Sequence, residues 1–245
     1  MAAALSTVGV DVKSIYDLVN SSKAYPAAIP VLLNLLDEDF SNGVVKEGIV
    51  RALSVKEAIG IAARPLIEQF KKAPNEKELL RWTIGNALSI VADDSVVYDI
   101  IDLVKDKRNG NARQMLTVAL ANTKDRRVVD VLIESLDDDG VAGHALIALR
   151  KLKAVKARDK IERLTDHPKH WIAKEARLLQ AKVSPNAGLL FVWPAAFQGW
   201  RSSHYRHDAS WPVLPKALSR VSAALQSISL SSIDNSTRPP TRPPL

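Results

Sequence analysis

The chain has 245 residues, 47 % of them apolar and 25 % charged, which is the balance of a folded globular protein rather than a disordered or fibrous one. It contains no cysteine, so disulfides, thiolate metal sites and a cysteine nucleophile are excluded, and a reducing, cytoplasmic setting is the expectation. The net charge of +7 divides into 28 Lys+Arg against 25 Asp+Glu over residues 1–184 and 6 against 2 over residues 185–245, a weak pointer to an anionic partner.

In chain order, "MAAALSTVGV" lacks the basic start and long apolar run of a secretory signal, and no run of ~20 apolar residues occurs that would span a membrane. Val10–Ser22, "VDVKSIYDLVNSS", predicts one lone opening helix that covers the first apolar layer of the array. Then a pattern repeats. "VLLNLL" from Val31, "PLIEQF" from Pro65, "DIIDLV" from Asp99, "VLIESL" from Val131 and "DKIERL" from Asp159 each begin a unit, with Leu32, Leu66, Ile100, Leu132 and Lys160 as equivalent positions. Behind each lies a second helix with apolar residues at i, i+4, i+7 and i+8, a spacing that places them on one stripe. These stripes are Val45, Ile49, Ala52 and Leu53; Leu80, Ile84, Ala87, Leu88 and Val91; Ala112, Leu116, Ala119, Leu120 and Thr123; Val141, Ala145, Ala148, Leu149 and Leu152; and Ile172, Ala176, Leu179 and Val183, with Gln180 where a leucine is usual. Small residues in mid-stripe let neighbouring helices approach, and no pair alone buries its apolar face, so the pairs must stack.

"LDDDGVAGHALIALRKL" and "TDHPKHWIAKEARLLQAKV" resemble the second half of bacterial HEAT-like repeats, the type also found in phycobilisome lyases, over residues 22–183. The resemblance implies an all-α, right-handed α-α superhelix of about five helix pairs plus the opening helix, spanning 1–184. Past it, residues 185–245 hold eight of the 13 prolines and three of the five tryptophans, and read as a disordered or irregular tail in which Lys216–Leu230 is the one amphipathic stretch. Whether the tail is an appendage, a frame-shifted extension or an apolar lid formed by "AGLLFVWPAAF" stays open at this level.

Catalytic and metal signals are weak. Asp137, Asp138 and Asp139 fall at the turn between paired helices, where they are expected to cap the second helix and not to bind metal. His167 and His170, near Asp166 and Pro168, read as a solvated helix start, and His144 as a surface or groove residue. There is no His-Glu dyad of the iron-dependent HEAT-repeat hydroxylases, no nucleophile elbow, no phosphate loop and no dinucleotide fingerprint. The chain is therefore expected not to be an enzyme and to need no cofactor; bilin-lyase-like and DNA-glycosylase-like activities rest on fold analogy alone.

The preferred reading is a non-catalytic scaffold that binds a peptide or partner helix. Opposite the buried stripes the second helices carry Glu47, Arg51, Trp82, Thr83, Asn86, Gln114, His144, Lys174 and Glu175, and Trp82 is the anchor, though packing against the adjacent repeat would account for it equally. The second reading is a nucleic-acid-binding array using the basic turns "KDKRNGNAR" and "TKDRR" and the seven basic residues between Arg150 and Arg163, disfavoured by the acids interspersed among them.

Overall fold

The computed structural model describes residues 1–38, 40, 43–154, 156 and 158–183. The segment 185–245, with its lid and amphipathic stretches, lies outside the described residues, as does the side chain of Val183. Within the described residues the fold is all-α, without a strand.

The helices follow one another as α1 (Ala2–Ser6), α2 (Ile15–Val19), α3 (Ala28–Leu35), α4 (Gly43–Ala52), α5 (Ala63–Lys72), α6 (Glu78–Val91), α7 (Val97–Lys105), α8 (Arg113–Ala119), α9 (Arg127–Glu134), α10 (Ala142–Leu152), α11 (Arg158–Leu164) and α12 (His170–Val183). Short 3-10 segments occupy several of the junctions, among them Lys107–Ala112 before α8 and Leu120–Asn122 after it. From α3 onward each odd helix packs on the even helix after it. The even helices also pack in succession, α2 on α4, α4 on α6, α6 on α8, α8 on α10 and α10 on α12.

The predicted stripes are the seams of this packing. Ile49, Ala52, Leu53, Ile84, Ala87, Leu88, Val91, Leu116, Ala119, Leu120, Ala145, Ala148, Leu149, Ile172, Ala176 and Leu179 are fully buried, as are Leu32, Leu66, Ile100 and Leu132 on the first helices. The fifth unit departs from the expected register: Lys160 is not a core residue and donates instead to the Ile133 carbonyl and to Asp137, while Ile161 fills the core position. A lysine cannot occupy that layer without leaving its ammonium unsolvated, so the unit shifts by one residue.

The opening helix is shorter than expected and has company. Ser14 and Asp17 form a capping box, the Tyr16 N–H donating to Ser14 Oγ at 3.1 Å and the Ser14 N–H to Asp17 Oδ2 at 3.0 Å, which fixes the start at Ile15 and keeps Val10–Lys13 out of the helix. Ahead of it, α1 buries Leu5 completely and packs on α3, while α2 packs on α4. Two short helices, not one, thus precede α3, each packed on a different helix of the first pair.

Close approach along the even row depends on glycine. A Cβ at Gly48 would strike Ile15 on α2, and one at Gly143 would run into the Trp171 ring on α12; at Gly85 it would lie 3.2 Å from the Ala112 carbonyl oxygen. Two arginines secure the turns. Arg81, only 5 % exposed, donates to the carbonyls of Phe70 and Ala73 at the end of α5, lies over the Phe70 ring and reaches Asn109 in the next unit. Arg113 does the equivalent one unit later: it donates to the carbonyls of Val104 and Gly110 and pairs with Asp138 at 2.8 Å.

The acidic turn is a junction and not a cap. The first residue before α10 is Val141, with no side-chain cap. Asp138 reaches back to Arg113 and accepts from the Gly140 N–H, Asp137 reaches forward to Lys160, and Asp139 lies 3.3 Å from His167 Nε2. Each carboxylate expected to cap α10 finds instead a cation or an imidazole of a neighbouring unit, a charge-assisted bond stronger than a neutral cap.

Candidate functional site

The outward side of the even helices is set by the register of the buried stripes: on α4, α6, α8 and α12 the residues two and six positions after the stripe start are half-buried or exposed, whereas on α10 the second, Gly143, is buried against Trp171 and the sixth, Ile147, is half-buried. Successive helices are tied across it. The Asn122 amide, after α8, donates to the Ser89 carbonyl on α6 at 2.8 Å and accepts from Lys151 on α10; Arg150 on α10 pairs with Glu175 on α12 at 2.9 Å. Gln114 on α8 donates to the Gly140 carbonyl before α10 at 3.3 Å.

On α4, Arg51 grips Glu47 through Nε and Nη2 at 2.9 and 2.6 Å, a helix pair one turn apart. Tyr16 on α2 is pushed up, first by burial and then by Glu47, with Arg51 acting in the opposite sense. Trp82 and Asn86 on α6 are half-buried. Thr83 does not belong to the face: it is 0 % exposed and its hydroxyl donates to the Leu79 carbonyl at 2.8 Å. On α6 the third residue past the stripe start is turned about 100° from Trp82, which is enough to bury it.

His144 is half-buried beneath Trp171, the rings meeting edge to face with centroids 5.3 Å apart. Its Nδ1 is buried without a hydrogen-bond partner, and burial pulls its pKa down from 6.5 to about 4. It is a neutral packing residue, not a free groove side chain. The solvated reading of His167 also needs correction: its side chain is 8 % exposed, its Nδ1 accepts the Lys169 N–H at 3.0 Å, and this fixes the proton on Nε2, facing Asp139.

Lys174 is exposed, while Glu175 is half-buried against Arg150, so the last two residues of the expected set play different parts. Sequence reading missed Ile147, Lys151 and Leu178, which take the outward positions of α10 and α12; Leu178 is 43 % exposed and gives the outward side of α12 an apolar centre. Counting six residues beyond each stripe start would have found Ile147 and Leu178. Lys151 is pulled down by desolvation and has an amide oxygen, not a carboxylate, for a partner.

Several cations of the basic turns are paired where they stand. Lys105 faces Glu134, Arg108 Asp106, Arg127 Asp125, Lys156 Asp130 and Lys160 Asp137. Two open hollows of about 200 and 430 Å³ end on Arg113 and Arg81, whose guanidinium groups already serve carbonyls, a carboxylate and an amide of the fold. Among the described residues no three His, Asp or Glu side chains gather as a metal ion would require, and no helix is long and apolar enough to cross a membrane.

No family model matches the chain, and no curated protein or solved structure matches it significantly.

Proposed function

We propose that the chain is a non-catalytic scaffold, a HEAT-like α-α superhelix working in the reducing cytoplasm, which binds a peptide or partner helix along the outward face of α4, α6, α8, α10 and α12. The observation that carries this reading is the unbroken succession of even helices, brought close by Gly48, Gly85 and Gly143, which lets side chains from five units share one surface. An extended surface assembled from equivalent positions of stacked units suits a long ligand contacted at several points. Glu47 with Arg51 stand at one end of it, and Trp82 and Asn86 on the next helix in. The ion pairs within the basic turns favour this reading over phosphate binding, because each neutralised cation has no counterion to release.

The test is capture by the full chain, with Trp82→Ala in parallel and with the captured protein identified and then titrated in purified form. A partner lost on Trp82→Ala, with affinity little changed by salt, supports the scaffold. Binding that falls linearly on log-log axes as salt rises, that survives Trp82→Ala and that a 20-nucleotide oligothymidylate competes away overturns it in favour of nucleic acid.

A further inference from the structure

The last two even helices carry a pattern the rest of the face lacks. On α12, Lys174, Leu178 and Lys182 recur every fourth residue, one stripe ~12 Å long on a helix rising 1.5 Å per residue. On α10, Ile147 and Lys151 form the facing stripe, one turn apart, and α10 packs directly on α12. Among the described residues Lys174 and Lys182 are exposed with no carboxylate against them, and Lys151 bonds to the Asn122 amide. Glu175, the carboxylate between the stripes, is taken by Arg150. Leu178, 43 % exposed, stands between Lys174 and Lys182 along the stripe, and Ile147, half-buried, holds the equivalent position on α10.

We infer that this α10–α12 end of the face docks an acidic amphipathic helix, its apolar residues on Ile147 and Leu178 and its carboxylates against Lys151, Lys174 and Lys182. The inference rests on the scaffold reading and adds the chemistry of the partner. Three cations without a carboxylate, set around an aliphatic centre, complement a helix with an apolar stripe and an acidic flank, the attraction steering encounter and the apolar contact providing residence. Nucleic acid fits less well. A phosphate backbone has no use for an exposed leucine, and a single strand binds by stacking on free aromatic rings, whereas the nearest ring, Trp171, is committed to Gly143 and His144.

The experiment is fluorescence anisotropy on the full chain with a labelled probe peptide of three repeats of Glu-Leu-Glu-Glu-Leu-Glu-Gln. Controls are the same peptide with every Glu replaced by Gln, the same peptide with every Leu replaced by Ser, and a 20-nucleotide oligothymidylate as competitor. The expected result is saturable binding that weakens about tenfold or more in Lys151→Glu/Lys174→Glu and again in Leu178→Ser, with circular dichroism unchanged. Equal affinity for the Gln or the Ser peptide, competition by oligothymidylate at equal strength, or no saturable binding overturns the inference. Should Trp82-dependent capture of a partner persist while the probe fails, the scaffold stands and the acidic-helix docking falls; if the probe binds as expected while Trp82 proves irrelevant to capture, the anchor is wrong and this end of the face is the site.

Discussion

Arg113 on α8 holds Asp138, 25 residues further along the chain, through a 2.8 Å ion pair in which the arginine side chain is only 9 % exposed. The same guanidinium serves the carbonyls of Val104 and Gly110, so one side chain fastens the end of α7, the start of α8 and the turn before α10.

Arg113→Met should therefore cost about 2–4 kcal/mol, because it strands a partly buried carboxylate and two carbonyls at once. Lys105→Met removes a pair of 3.6 Å between side chains more than half exposed, and should cost less than ~0.5 kcal/mol. Urea unfolding of the two variants checks the contrast, and equal losses would show that the Arg113 junction carries no special weight. The pH dependence has a matching sign: Asp138 is held below the usual carboxylate range, first by its hydrogen bond from Arg113, so its contribution is present at neutral pH and is lost as pH falls through the folded pKa.

Gly143→Ala should destabilise by about 1–3 kcal/mol even though alanine favours helix by up to ~1 kcal/mol over glycine, since the new methyl overlaps the Trp171 ring and α10 and α12 must separate. At Gly43, the first residue of α4, nothing lies within 4 Å of the added carbon, and Gly43→Ala should be neutral or mildly stabilising. Thermal melts of the pair read the difference directly.

His144 gives a pH signature. Its pKa drops from 6.5 to about 4 on folding, so the folded chain resists a proton that the unfolded chain accepts. Stability associated with the neutral ring is complete above the unfolded value and is lost as pH falls from about 6.5 to about 4, on the order of 3 kcal/mol in all. In His144→Gln the fall in melting temperature between pH 7 and pH 4.5 should be smaller than in the unsubstituted chain; an identical fall would mean that the ring takes its proton without penalty.

Ala148→Asp should unfold the array, at a cost above ~4 kcal/mol, because Ala148 is 0 % exposed in the seam and offers a carboxylate no partner. Lys151→Asp, one turn away on the exposed edge, loses only its bond to Asn122 and should remain folded. Circular dichroism at 25 °C separates the two outcomes.

The helix pairs were legible because burial imposes a period. Leu32, Leu66, Ile100 and Leu132 recur at nearly constant spacing since each must enter the same layer, and a repeated physical demand leaves a repeated residue. The helix α1 was not legible, since it is five residues long and buries one leucine, too little to register as a period. Nor was the part played by Asp137, Asp138 and Asp139: a side chain at a helix start reads as a cap until the cations of the neighbouring units are seen opposite it, and those cations are separated from the triad by more than twenty residues of chain. On the outward face, Thr83 was misplaced by a single step of helix angle, about 100°, and His144 by the Trp171 ring of the next unit, which no spacing within α10 announces.

The even row has a kinetic corollary. α2 meets α4, α4 meets α6, and so on to α12, each helix finding its partner one unit away, and the ties that cross units, Arg113 to Asp138 or Arg150 to Glu175, span only about 25 residues. Loop closure over such short stretches costs little entropy, so folding can begin at any pair and spread outward like a zipper, without a slow search for distant partners. Among the described residues the last pair, α11–α12, has neighbours on one side only. The α11–α12 pair is fastened by Asp137–Lys160, Asp139–His167 and Arg150–Glu175, contacts that include well-exposed acids, and concentrated salt should release its amide protons to exchange before those of α6 and α8.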